Sequence, residues 1–277
     1  MKKAVTIQDV SCFGKCSITV ALPIISAMGV ECAIIPTAVL STHTGGFKGF
    51  TFRDLSEDIP KISDHWKKEN LSFDGVYTGY LGSPEQAEMI NDFIDTFSPP
   101  LVFVDPAMAD NGKLYTGFTH DIVDAMAKLC ARADMIVPNL TEATLMLGEE
   151  WRKPGEYDEE YIRGILRKLT DMGAKQATLT GVIYDGAHQG AVAYNSLTGE
   201  YSEYFSDNLP RSYHGTGDVF SSAMFGAMMR GKSVADSLKI AVEYTVDCMK
   251  HTAGDKDYWY GVKFEECIPG LISLIGD

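Results

Sequence analysis

Short apolar runs alternate with helical patterns along almost the whole chain, and this alternation limits the fold more than any single motif. Runs at residues 4–8, 33–35, 75–80, 101–104, 135–137 and 177–180 read as strands buried on both faces. Between them, apolar residues recur with the helical period. Ile18, Ala21, Leu22, Ile25 and Met28 form one such set, closed by Gly29, with Pro23 expected to kink it. Ile122, Ala125, Met126 and Leu129 form another, and Ile162, Ile165, Leu166, Leu169 and Met172 a third, stopped by Gly173. Further helices are expected at 55–68, from Ser83-Pro84 with Gln86 in a capping box, at 141–147, and from Ser233 through Lys250. Residues 190–195 and 201–205 read as an antiparallel pair turning at Gly199. The pattern predicts an α/β fold, a mostly parallel central sheet with helices on both faces. With no repeat or linker, residues 1–277 are expected to form one domain.

In such sheets ligands bind beyond the carboxyl ends of the strands. Asp9, Thr44, Tyr80, Asp105, Asn139 and Thr180 each follow a predicted strand or lie near its end. Residues 210–230 add a second constellation. Gly215, Thr216, Gly217 and Asp218 form a flexible turn ahead of an apolar helix, so successive backbone N–H groups and the positive helix end converge on one point. That is an anion site. A carboxylate there repels an anion unless Asp218 takes a proton from a hydroxyl attacking a phosphoryl group. The plainer alternative makes Asp218 a helix cap. Asp105 and Asp110 follow one strand, and Asn139, Thr141 and Glu142 another. Carboxylates beside an anion nest suit Mg²⁺ carrying a nucleotide. Singly, Asp105 also fits a turn residue and Glu142 a first-turn helix acid.

Other classes are disfavoured. The net charge of −14 argues against nucleic acid and gives no reason to expect an anionic membrane. Six scattered cysteines without a C-x-x-C pair read as reduced thiols of a cytoplasmic protein, and Cys12, Cys16 and His43 match no zinc spacing. The N-terminus lacks the apolar stretch of a signal peptide, and no run is long enough for a membrane span. There is no P-loop, no G-x-G-x-x-G after the first strand and no G-x-S-x-G elbow. His43 and His214 lie in loops and receive no proton-transfer role.

HGTGDVFSSA resembles the signature of the ribokinase-like superfamily. TIQDVSCFG, LSTHTGGF, TGYLGSPEQ, VFVDPAMADNGKLY, IVPNLTEATLM and YHGTGD, in this order from Thr6 to Asp218, resemble its pyridoxal kinase branch. The resemblance implies ATP-dependent phosphorylation of the hydroxymethyl group of a B6 vitamer, with Mg²⁺ and a monovalent cation (K⁺ or Na⁺), in a cytoplasmic homodimer. It implies Asp218 as base and Gly215, Thr216 and Gly217 as the anion hole. It implies Asp105 near the metal and monovalent cation, and Glu142 near Mg²⁺-ATP. Asp110, Asn139, Tyr115 and Thr180 would serve the nucleotide, and Thr44 and Tyr80 the vitamer. Two positions depart from the pattern: Asp9 stands where a serine is expected at the vitamer ring, and Ala109 where glycine is frequent. A hydroxymethylpyrimidine kinase is the nearest rival. A sugar kinase fits less well, since no cluster of polar groups for several sugar hydroxyls is visible. A vitamer-binding protein without turnover is the rival from another class.

Overall fold

The computed structural model describes residues 1–209, 211 and 213–276, so Pro210 and Ser212 of the 210–230 stretch lie outside the described residues. In chain order the elements are β1 (Lys3–Ser11), α1 (Ile18–Ala27), β2 (Glu31–Leu40), β3 (Phe52–Asp54), α2 (Asp58–Lys68), β4 (Gly75–Thr78), α3 (Pro84–Phe97), β5 (Leu101–Val104), β6 (Ala109–Asp110), β7 (Lys113–Leu114), α4 (His120–Cys130), β8 (Met135–Ile136), α5 (Leu140–Leu147), α6 (Glu159–Asp171), β9 (Gln176–Val182), β10 (His188–Asn195), β11 (Glu200–Asp207), α7 (Thr216–Met229), α8 (Val234–Thr252) and α9 (Phe264–Ile275).

Nine strands form one sheet in the order β11-β10-β9-β8-β5-β4-β1-β2-β3. The six strands from β9 to β2 in that order are mutually parallel, and the edges turn antiparallel through β3 on one side and β10 and β11 on the other. Successive strand residues feed opposite cores. Ala4, Tyr77, Phe103 and Met135 pack with α1, α7, α8 and α9. Val5, Val76, Val102 and Ile136 pack with the helices between β2 and β9. Both faces are covered, which is why these strands read as unbroken apolar runs. The chain leaves β1 to one side for β2 and returns to its other side as β4, so the order reverses at β1. A crevice opens at the carboxyl ends there. No helix among the described residues is long and apolar enough to cross a membrane.

Several boundaries differ from the sequence reading. β1 does not stop at Gln8 but continues to Ser11, with a register shift against β2 between Gln8 and Val10. A charged residue ends a predicted buried strand because desolvating it is costly. Here hydroxyl partners offset that cost, so Asp9 lies inside the strand rather than in a loop. β4 ends at Thr78, leaving Tyr80 in the following loop. β3, β6 and β7 were not anticipated. β6 and β7 flank Asn111 and Gly112, both at positive φ, the backbone of a type I′ hairpin, and Asn-Gly is the strongest short hairpin signal. α1 runs through Pro23 without interruption.

Candidate active site

A cavity of about 960 Å³ opens at the carboxyl ends of the parallel strands, and all thirteen candidates for the base, anion hole, metal, nucleotide and vitamer sites line it, whereas Thr141 does not. Its floor is the start of α7. Gly215 caps that helix at φ 76°, in the left-handed region, and no side chain caps the helix end. A Cβ at Gly215 would overlap the carbonyl oxygen of Lys15, so glycine is required twice over, by conformation and by space. The first-turn N–H groups of α7 therefore face the cavity without a side-chain acceptor.

Asp218, in that first turn, is half-buried, with the rest of its surface open to the cavity. Burial, reinforced by the charges of Asp105 and Asp9, pushes its carboxyl up to about 8, although the backbone N–H of Ser17 donates to it and pulls the other way. Ser17 precedes α1 at φ 56°, a conformation a non-glycine residue adopts only under constraint. Its hydroxyl also hydrogen-bonds Asp9. One strained residue thus contacts both carboxylates.

Asp9, Asp105 and Glu142 are almost wholly buried, at 3%, 8% and 2% exposure, and each has its pKa raised, first of all by that burial. Ser11 donates to Asp9 at 2.8 Å, and Ser221 of α7 donates to Asp105 at 2.7 Å. Glu142 accepts from the backbone N–H groups of Asn139 (2.9 Å), Met108 (3.1 Å) and Ala109 (3.4 Å). With Asn139 it completes a capping box at α5, so the plain helix-acid reading describes part of what Glu142 does. Among the described residues, none of Asp9, Asp105, Glu142 and Asp218 has an ion-pair partner. Four converging carboxylates without a cation are costly unless some stay protonated or a metal joins them.

Farther along the cavity, the Asn139 amide donates to the Ala109 carbonyl at 2.8 Å, and Asn139 pairs with Thr180 as an isolated parallel bridge. Asp110 is exposed and accepts from Asn111 inside the hairpin turn. Tyr115 is 38% exposed, and burial of its phenol raises its pKa far above the usual value. At the other end Thr44 is exposed at the rim. Tyr80 stacks on Phe118, with centroids 5.3 Å apart and planes 18° apart. One face of Tyr80 is therefore already taken, which leaves the other for a ligand ring.

Some lining residues carried no usable sequence signal. Ser221 is a single hydroxyl whose partner, Asp105, lies 116 residues away, and Ser17 is a single hydroxyl in a loop without periodicity. Lys113, at the start of β7, and Arg211, ahead of α7, bring the cavity positive charge. His43 is spent on structure: Gly45 N–H donates to its Nδ1 at 3.1 Å, so Nε2 donates to the Tyr260 carbonyl at 2.8 Å. Burial lowers its pKa, which keeps the ring neutral.

The sequence profile of the family described as phosphomethylpyrimidine kinase matches residues 14–260. Among solved structures, the chain is similar to a candidate phosphomethylpyrimidine kinase from Bacteroides thetaiotaomicron VPI-5482, crystallised with pyridoxal. The two are 38% identical with a TM-score of 0.92, over 98% of this chain and 95% of that one. It is also similar to pyridoxal kinase from Lactobacillus plantarum, at 31% identity and a TM-score of 0.91, over 99% and 98% of the two chains. Among curated proteins, 257 residues are 24% identical to the thiamine biosynthetic bifunctional enzyme TH1 of Arabidopsis thaliana. That match covers 87% of this chain but only 47% of the plant protein, so the chain spans about half its length. With the profile and the first two structures spanning nearly the whole fold, the chain belongs to the phosphomethylpyrimidine kinase family, in its pyridoxal kinase branch with the ribokinase-like fold.

Proposed function

We propose that the chain, acting as one kinase domain, transfers the γ-phosphoryl group of ATP to the primary hydroxymethyl group of pyridoxal, pyridoxine or pyridoxamine, in vitamin B6 salvage. The observation that carries this reading is Asp218 standing beside the uncapped N-terminus of α7 within one cavity. The hydroxyl oxygen forms a bond to the γ-phosphorus while the bond from that phosphorus to the β,γ-bridging oxygen breaks. ADP departs with the electron pair, and the hydroxyl proton passes to Asp218. The N–H groups at 216–218 meet the charge on the transferring group. The donor set fits Mg²⁺, being hard oxygen and short of cations, with Asp105 and the Glu142 region as its holders and a monovalent cation beside Asp105. Bound there, Mg²⁺ supplies charge neutralisation of the phosphates. Asp110, Tyr115, Asn139 and Thr180 face the nucleotide, and Asp9, Thr44 and Tyr80 the vitamer.

A second reading, phosphorylation of hydroxymethylpyrimidine, is favoured by Asp9, since its carboxylate can accept from an amine on a pyrimidine ring. An ADP-coupled assay over the three vitamers and hydroxymethylpyrimidine separates the two, and no turnover with any of them would mark a binding protein. Turnover with at least one vitamer is expected. Asp9→Ser is expected to shift the kcat/KM ratios among vitamers by about ten- to hundredfold. A charge-assisted hydrogen bond contributes roughly 1.5–3 kcal/mol, which a neutral hydroxyl replaces only in part. Unchanged ratios would leave Asp9 with its serine partners alone.

Glu142→Gln tests the metal side. The amide cannot accept at both ends, so the clasp on residues 108–109 loosens together with any metal shell. The Mg²⁺ concentration for half-maximal rate is expected to rise several-fold, with nucleotide KM rising more than vitamer KM. A lower Tm with unchanged Mg²⁺ dependence would make Glu142 a clasp only. This reading also makes the protein a cytoplasmic homodimer, so its mass in solution would be twice the 30.4 kDa of the chain.

A further inference from the structure

Away from the cavity, α8 and α9 bring together a mixed set of metal-ligating side chains that the phosphoryl-transfer reading does not use. Asp247 and His251 stand one turn apart on α8 and therefore share a face. α9 brings Cys267 against them. One donor atom from each of the three lies within 4.8 Å of the others. Asp247 Oδ1 and His251 Nδ1 are 3.3 Å apart. That is about the edge of a tetrahedron with metal–ligand bonds of roughly 2.0–2.1 Å. The sulfur reaches its corner with about an ångström of side-chain movement, since a metal–sulfur bond is longer, roughly 2.3 Å.

We infer that Asp247, His251 and Cys267 form a site for a borderline-soft divalent ion of the zinc class, fastening α9 to α8. The donor types decide the class. Thiolate with imidazole selects zinc-like ions over Mg²⁺ or Ca²⁺, which take oxygen ligands. Asp247 and His251 side chains are each 47% exposed, which gives an entry path and leaves the fourth position for water. Cys267 is 2% exposed, so its sulfur forms the dry floor. The Cys248 thiol hydrogen-bonds that sulfur from below, a supporting contact of the kind that steadies a ligating thiolate. On binding, the Cys267 thiol loses its proton to solvent as the metal–sulfur bond forms. The opposite side of α8 presents Thr245 and Met249 to the cavity, which places the ion behind that wall and outside the reaction.

Cobalt(II) alone, titrated into the full chain, tests this. A near-ultraviolet thiolate-to-cobalt charge-transfer band is expected at one equivalent, displaced by Zn²⁺. Carboxylates give no such band, and Cys16, a thiol that lines the cavity, is told apart by the Cys267→Ser variant. His251→Gln, at an exposed position that does not threaten folding, is expected to weaken cobalt binding by at least about tenfold. Cys267→Ser is expected to abolish the band, with far-ultraviolet circular dichroism confirming the fold. A band that survives Cys267→Ser, or is indifferent to His251→Gln, assigns cobalt to other cysteines and overturns the site. No band with the wild-type chain overturns it too.

Discussion

Asp218→Asn is expected to lower kcat by at least about a hundredfold while nucleotide still binds. General-base catalysis contributes about 10²–10⁴-fold, and asparagine keeps the shape of the side chain but cannot take a proton. The same substitution is expected to leave Tm unchanged or raise it at neutral pH. The sign follows from linkage. The Asp218 carboxyl has its pKa raised from 3.8 to about 8 by burial and by the charges of Asp105 and Asp9. Between those values the folded chain holds a proton that the unfolded chain has released, so stability falls as pH rises through that window. Asparagine does not ionise and escapes the loss. Activity runs the other way, because the base acts ionised, so wild-type kcat/KM is expected to rise with pH towards about 8. A cation beside Asp105 moves that rise to lower pH. Loss of turnover with intact Tm and intact nucleotide binding separates a base from a helix cap. Turnover within a few-fold of wild type would leave Asp218 as a cap.

Gly215→Ala is expected to damage both fold and turnover. The left-handed backbone at φ 76° costs an L-residue roughly 1–2 kcal/mol. The larger cost is steric, because the new Cβ would overlap the Lys15 carbonyl, a backbone atom that cannot swing aside as a side chain can. Lys15 lies two residues before Ser17, whose N–H donates to Asp218. Moving that loop withdraws the donor and shifts the first turn of α7 together. A loss of kcat/KM of at least about a hundredfold is expected, in line with losing anion-hole donors. Tm is expected to fall by roughly 2–4 °C for each kcal/mol lost. Gly217→Ala is the control for stability: a Cβ there meets nothing within 4 Å, so Tm should hold. If Gly215→Ala retained wild-type Tm and rate, the turn would be more plastic than its packing implies.

The alternation of apolar runs and helical patterns determined the fold class by itself. Strands covered on both faces must be apolar throughout, and each parallel connection needs a helix, so both signals are written locally. The strand ends were legible for a related reason, since a polar residue closing an apolar run marks where the sheet stops. Asp105 and Asn139 were placed in this way, and both line the cavity. Short antiparallel strands without an apolar run escaped. β6 and β7 have two residues each and β3 has three, too few for a period, although Asn111-Gly112 carried a turn signal that was available to read.

The tertiary structure decided how the charges live together. That Asp9 stays inside β1 depends on the hydroxyls of Ser11 and Ser17, and only the first is a near neighbour in sequence. That Glu142 holds residues 108–109 depends on a loop 33 residues and more upstream. That Asp218 is pushed up to about 8 depends on Asp105, more than 100 residues away in the chain, and on burial that no local pattern encodes. Periodicity along a sequence records which side of an element faces the core. The energy of a buried carboxylate is set by what folding brings within a few ångströms of it, and that sum exists only once the chain has closed.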